Sequence, residues 1–220
     1  IKLWDVKNGK NTMDEFIAQL SDYDLSCIIR GEGMGSPRVT AGTASAFGGV
    51  SENLNGFGIP AGCCSDGPSG MRLDCGTKAF SLPNGTMIAS SFNKELTSEL
   101  FTFMGLEMAA NKVDCLLGPG MNIHRHPLNG RNFEYFSEDP FLTGKMAAAE
   151  LKGMAGAGVR GTIKHFCANN RETNRHFIDS VVSERALREI YLKGFEIAVK
   201  EGGASSVMTT YGRVNGLWTA

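Results

Sequence analysis

Residues 113 to 140 read "VDCLLGPGMNIHRHPLNGRNFEYFSEDP". A short apolar run, 113 to 117, gives way abruptly to a glycine- and proline-rich segment crowded with histidine, arginine and carboxylate side chains. The run is long enough for a strand but too short for a helix. The polar segment reads as a loop that ends on Asp139, a helix N-cap with Pro140 at the first helical position. Strand, polar loop and helix in that order make half of a βαβ unit.

The pattern recurs. "IPAGCC" (59–64), "RGTIKHF" (160–166) and "ASSVMTTY" (204–211) are further candidate strands. Helical patterns lie between them at 93–111, 140–156 and 183–200. In the last, Leu187, Ile190, Tyr191, Gly194, Ile197 and Ala198 line one face of an α-helix. Ser183 caps its start, and Gly202-Gly203 stops it. Residues 12–31 suggest two short helices, with Thr12 and Ser21 as N-caps. The stretch 32–58, rich in Gly, Ser, Thr and Ala, reads as loop. Asn84-Gly85 stands isolated, and no hairpin signal separates the strands. The pattern predicts an α/β chain built on a parallel sheet, open or closed into a barrel.

Bulk composition narrows the function. The chain has 220 residues, ample for a core, with 22 basic and 23 acidic side chains. A net charge of −1 argues against a nucleic-acid or anionic-membrane surface. No apolar stretch approaches 18 residues and no signal-peptide pattern is seen, although the chain opens on Ile1 rather than methionine. The six cysteines include Cys27, Cys115 and Cys167 in apolar segments and the adjacent Cys63-Cys64, with no CxxC pair. Reduced, buried thiols in a cytoplasmic protein are the expectation.

In each unit the polar residues fall just after the apolar run, the position that a parallel barrel places at its C-terminal face, where active sites are built. Asp66, Arg72, Arg131, Lys164, His165 and Tyr211 are therefore expected to converge on one pocket. Asp66 can accept two hydroxyl protons, while Arg131, Lys164 and His165 supply donors, a set suited to a hydroxyl-rich ligand. Each has a plainer reading: Asp66 as a turn acid, Lys164 as a solvated strand-end lysine, Arg72 as a partner of Asp74, Tyr211 as a core ring. His124-x-His126 invites a metal site of the amidohydrolase kind if both lie on one strand, but Pro127 follows at once and no pattern of carboxylates placed to orient the two rings is evident. Glu134, Glu138 and Asp139 suggest an acid pair, yet adjacent Glu138-Asp139 cannot flank one bond from opposite sides. Capping accounts for Asp139, and Glu134 or Glu138 is expected to hold Arg131.

"DGPSGMR" (66–72), "GPGMNIHRHPLNGRNFEYFSEDP" (118–140), "TIKHFCANNRE" (162–172) and "SERALREIYLKGFEIAVKEGGASSVMTTYGRVNG" (183–216) together resemble, in order, the motifs of glycoside hydrolase family 3, the β-glucosidase and β-xylosidase family. The resemblance implies a partial (β/α)8 barrel over 32–220, truncated before the nucleophile strand, behind a helical lead-in over 1–31. It implies an exo-acting retaining β-glycosidase, most simply a β-glucosidase, in which Asp66, Arg72, Arg131, Lys164 and His165 bind hydroxyls of the innermost sugar and Tyr211 sits near the reacting carbon. The family's nucleophilic aspartate and acid/base glutamate are expected outside this chain, on the remainder of the barrel and on an α/β sandwich domain of the same polypeptide. The opening "LWDVKNGKNTMDEFIAQLSDYDL" is similar to members with the sandwich first. No cofactor or metal is implied, and the partner is a small oligosaccharide or β-glucoside. Arg171 departs from the family's usual glutamine, and "KHFCANNRE" departs from the histidine-rich pattern of the hexosaminidase branch. The rivals are the His124/His126 metal hydrolase and a non-catalytic sugar-binding fragment.

Overall fold

A computed structural model describes residues 1–219. Three short helices open the chain: α1 (Leu3–Lys7), α2 (Met13–Ala18) and α3 (Asp22–Arg30). Thr12 and Ser21 each accept a hydrogen bond from the backbone three residues on, and Glu15 and Asp24 reach back to close two capping boxes. The lead-in does not stand apart. Cys27 of α3 packs with Ala46, Val50 and Leu54, and Leu3 N–H donates to the Phe57 carbonyl at 2.8 Å.

The stretch read as loop, 32–58, contains β1 (Ser45–Gly48) and α4 (Glu52–Gly56). Its Ala- and Gly-rich sequence has little strand propensity of its own. It becomes a strand by pairing antiparallel with β2 (Ala61–Asp66), Ser45 opposite Cys64 and Gly48 opposite Ala61.

From β2 onward the strands run parallel: β3 (Cys115–Leu117), β4 (Arg160–Phe166) and β6 (Ser206–Thr209), in the order β1-β2-β3-β4-β6. Helices α5 (Gly85–Ser90) and α6 (Lys94–Ala110) join β2 to β3, and α7 (Pro140–Gly156) joins β3 to β4. Between β4 and β6 come β5 (Asp179–Ser180), α8 (Glu184–Ala186), a π-helical turn (Leu187–Tyr191) and α9 (Lys193–Lys200). The sheet curls into half of a barrel.

Asp139 caps α7 as its sequence suggests, accepting from Leu142 N–H at 2.6 Å, with Pro140 at N1. Phe101, Met104 and Met108 of α6, Leu151 and Met154 of α7 and Phe195 of α9 pack on Cys63, Leu116 and Ile163 of the sheet. Burying each of these large side chains stabilises the fold by roughly 1.5–3 kcal/mol.

The other face of the sheet looks into the half-barrel. Asp66, Leu117, Lys164 and Met208 form its upper layer, and two residues back on each strand lie Cys64, Cys115, Thr162 and Ser206. This lower layer is a polar chain: Cys115 Sγ meets Thr162 Oγ1 at 3.0 Å, and that hydroxyl donates to Ser206 Oγ at 2.9 Å.

Two further expectations need correction. The 183–200 helix is not regular, because the π turn lodges one extra residue after α8. A hairpin exists after all: β7 (Arg213–Val214) and β8 (Leu217–Trp218) are joined by Asn215-Gly216 at φ +51° and +83°, the two left-handed positions of a type I′ turn, and β7 also pairs with β5. Asn84-Gly85 makes no hairpin; Asn84 caps α5. His124 and His126 lie on no strand, since β3 stops at Leu117 before Gly118-Pro119. No helix among the described residues is long and apolar enough to cross a membrane.

Candidate functional site

The half-barrel holds a cavity of about 620 Å³ at the C-terminal ends of its parallel strands. Asp66, Arg131, Lys164, His165 and Tyr211, placed together on sequence grounds, all line it, joined by Leu117, Met208, Thr209, Thr210, Trp218 and Thr219. Arg72 does not. Its guanidinium is turned outward onto Asp74, with Nε to Oδ1 at 2.9 Å and Nη2 to Oδ2 at 2.8 Å, which is the plainer reading of that residue.

The segment after β2 is a tight turn. Arg72 N–H donates to the Asp66 carbonyl at 2.8 Å, and Gly67 and Gly70 adopt φ of +114° and +119°. A Cβ on Gly67 would sit 2.0 Å from the Gly70 carbonyl oxygen, so no side chain fits there. The turn aims Asp66 at the buried Lys164, whose Nζ donates to Oδ1 at 2.9 Å. Burial opposes charge on Asp66, but the Lys164 ammonium and its hydrogen bond outweigh it, with smaller help from Gly67 N–H and Arg72. The carboxyl stays below its ordinary range.

Strand β4 slips register against β6 between Lys164 and Phe166, so His165 is an extra residue in a bulge. Two consecutive side chains, Lys164 and His165, thereby face the cavity. The Lys164–His165, Phe166–Cys167 and Gly118–Pro119 peptides are cis. The side-chain amide of buried Asn122 grips the His165 backbone from both sides, donating to its carbonyl and accepting from its N–H, each at 2.9 Å.

The His165 ring is equally constrained. Arg131 Nη1 lies 2.8 Å from Nε2, and a guanidinium can only donate, so Nε2 carries the lone pair. The proton is then on Nδ1, 3.4 Å from the hydroxyl of fully buried Tyr135, which also bonds to Asn169. Burial foremost, then the charges of Arg131 and Lys164, pull the His165 pKa down to about 3. The ring is neutral, accepts from Arg131 at Nε2 and turns Nδ1–H toward Tyr135, so neither nitrogen is the free donor to a ligand expected from sequence.

Arg131 itself is held on three of its five N–H groups. Nη1 donates to Glu134 Oε1 at 3.0 Å and to His165, while Nε faces Glu172 Oε2 at 3.2 Å. Its Nη2 group has no partner among the described residues, which leaves two hydrogens for a ligand. Glu134 is buried, and that burial raises its pKa against the opposing pull of Lys164 and Arg131. Glu172 is held below its ordinary range: burial works against the charge, but Asn169, Arg131 and Arg175 prevail. The arrangement is a rigid, nearly charge-balanced rim that offers one carboxylate, one ammonium and one guanidinium edge.

The two histidines proposed for a metal do not converge. His124 Nε2 lies 3.0 Å from the Asn132 carbonyl and 3.1 Å from that of Tyr135, while exposed His126 accepts from Leu128 N–H through Nδ1. Among the described residues no three His, Cys, Asp or Glu side chains cluster as metal ligands.

Residues 2–218 match the family model described as the glycosyl hydrolase family 3 N-terminal domain. The chain belongs to glycosyl hydrolase family 3. A β-glucosidase of Ruminococcus albus is 80% identical to this family 3 chain over all 220 residues, which cover 23% of the relative. The structure of a β-glucosidase from Paenibacillus barengoltzii superposes with a TM-score of 0.95 at 62% identity, covering 99% of this chain and 24% of that one. β-Glucosidase 3B from Thermotoga neapolitana, solved in complex with glucose, gives 0.83 at 43% identity over 93% of this chain and 30% of that one. The family 3 chain thus spans about a quarter of the length of the first two relatives.

Asn122, Tyr135 and Asn169 do not stand out in the sequence, although Asn122 and Tyr135 hold His165 and Asn169 holds Tyr135 and Glu172. Glu172 offered a signal, since it closes the same short motif as Lys164-His165. A buried amide or phenol in a loop carries none, because its role depends on which backbone or ring it meets.

Proposed function

We propose that residues 1–220 supply the innermost sugar-binding part of an exo-acting, retaining β-glucosidase that hydrolyses a terminal non-reducing β-linked sugar. The observation that carries this reading is the pairing, in one cavity at the strand ends, of the Asp66–Lys164 couple with an Arg131 edge whose two Nη2 hydrogens are uncommitted among the described residues. Neighbouring hydroxyls on a sugar ring meet that set well. Asp66 accepts their protons, and Lys164 and Arg131 donate to their oxygens. The names of the relatives and the glucose bound to the Thermotoga protein support glucose as the sugar. Such contacts favour catalysis where they strengthen as the ring flattens toward an oxocarbenium-like transition state. Bond cleavage is assigned to two carboxyl groups outside this chain, one a nucleophile on the remainder of the barrel and one an acid/base on an α/β sandwich domain. All six cysteines are unpaired and five are buried, which supports a reducing compartment such as the cytoplasm.

The test is hydrolysis of an aryl β-glucoside by the full-length polypeptide, with the anomer of the released glucose followed by proton NMR. β-Glucose as the first product is the expected result. Absence of hydrolysis, or inversion, overturns the proposal. Full-rate hydrolysis by residues 1–220 alone overturns the assignment of the cutting acids to other segments.

A further inference from the structure

Tyr211 borders the cavity yet is 53% exposed, and its hydroxyl makes no hydrogen bond among the described residues. What fixes the ring comes from a different segment, the loop after β4. The Arg175 guanidinium lies over the ring at 4.9 Å from its centroid, and the His176 ring sits beside it at 4.6 Å, tilted by 46°. Arg175 is in turn bonded to Glu172 Oε2 at 3.0 Å, and that same oxygen faces Arg131 Nε at 3.2 Å. The other Glu172 oxygen accepts from Asn169 at 3.0 Å. One carboxylate thus bridges two guanidinium groups, one turned toward the sugar-binding rim and the other stacked on Tyr211.

The backbone reinforces this link. Arg213 N–H donates to the Ile178 carbonyl at 2.9 Å, and β5 pairs with β7, so the loop after β4 and the hairpin after β6 are one small sheet. A Cβ on Gly212 would meet Ile178 Cγ2 at 2.8 Å, which shows how closely the two segments approach.

We propose that Glu172 and Arg175 are positioning residues for the hydrolysis, aligning the Tyr211 ring with the Arg131 edge through one shared carboxylate. The proposal rests on the β-glucosidase reading for its activity readout but not for its structural one. A cation over an aromatic face is a modest, directional attraction, so its loss should free the ring without unfolding the chain.

The experiment is a double-mutant cycle on kcat/KM for an aryl β-glucoside, in the full-length polypeptide. Arg175→Ala is expected to lower kcat/KM about three- to ten-fold in the presence of Tyr211, and less than about two-fold in a Tyr211→Ala background. Arg175→Lys, which retains a cation and a partner for Glu172, should recover most of the loss. An equal loss in both backgrounds, no loss at all, or a Lys variant as impaired as the Ala variant would overturn the proposal. Should Arg175→Ala fail to fold, Arg175→Gln takes its place in the same cycle. A crystal structure of the variant supplies the readout independent of activity. Tyr211 leaving the side of His176 supports the proposal, and an unmoved ring overturns it. Failure of the wild-type polypeptide to hydrolyse the glucoside counts against the function and leaves this structural test intact.

Discussion

Replacing Asp66 by alanine removes the carboxylate that pairs with Lys164 in the cavity. Oδ1 is engaged by Lys164 at 2.9 Å, and Oδ2 has no side-chain partner among the described residues, so the group has capacity for two hydroxyl protons. Hydrogen bonds to a charged acceptor contribute roughly 1.5–3 kcal/mol each, or about 3–6 kcal/mol for the pair. The Asp66 side chain is 40% exposed in its pair with Lys164, and solvent screening moves the expectation to the lower part of that range. At about 1.4 kcal/mol per factor of ten, kcat/KM should fall by about 10² to 10³. Asp66→Asn keeps the shape and one acceptor while losing the charge, and should lie about ten-fold above the alanine variant. The assay is aryl β-glucoside hydrolysis by the full-length polypeptide, with thermal melting to establish that each variant is folded. A folded Asp66→Ala protein within five-fold of wild type, or an Asn variant no better than the Ala variant, would refute the reasoning.

The same geometry sets other outcomes. ¹⁵N NMR at pH 5 should show His165 neutral and protonated on Nδ1, since its pKa is pulled down to about 3; an imidazolium signal there would contradict the Arg131–His165–Tyr135 arrangement. Because that pKa lies below the ordinary histidine value, the stabilisation it brings is complete above about pH 6.5 and drains away as pH falls toward 3, a slope that His165→Gln should flatten. Glu150 is wholly buried and its Oε2 has no partner among the described residues, so burial alone raises its pKa well above the usual value. Its contribution to stability is therefore present below about pH 4.5 and lost as pH rises through the raised pKa. Glu150→Gln should gain in melting temperature relative to wild type between pH 5 and pH 8, and a constant difference would count against this. Asn122→Asp places a carboxylate oxygen against the His165 carbonyl and should destabilise by about 2–4 kcal/mol, more than Asn122→Ala does, as read by denaturant unfolding.

How much of this was legible in the sequence varies with the physics involved. The bounds of α7 and β4 read directly because Asp139-Pro140 is a strong start signal and 160–166 is a compact apolar run with an abrupt polar end. The convergence of Asp66, Lys164 and Tyr211 follows from parallel-strand topology, which sends strand ends to one face, whereas His165 reaches the cavity through the β4 bulge and Arg131 from the long loop after β3. β1 was illegible because an Ala- and Gly-rich segment acquires its conformation from the edge it pairs with. The β7–β8 hairpin escaped because two-residue strands are too short to alternate, although Asn215-Gly216 carried the turn signal. Arg72 is expected in the pocket but lies outside it, since Asp66 and Asp74 are both within reach of one flexible side chain and only geometry chooses Asp74. His165 reads in the sequence as a donor to the ligand, whereas both of its ring nitrogens are engaged within the protein. A histidine's role as donor or acceptor is set by its neighbours, here Arg131 on one nitrogen and Tyr135 on the other.

The π turn at Leu187–Tyr191 uncouples the length of its segment from the direction its two ends face. Upstream, Ser183 must stay where it caps α8; downstream, Phe195, Ile197 and Ala198 must keep their seats in the core. In a regular helix, gaining or losing one residue would turn one end by about 100° relative to the other. The wide turn already lodges one extra residue, so losing it would leave a regular helix with both anchors in place. Deletion of one residue should therefore be tolerated here and penalised in α7, which is regular throughout.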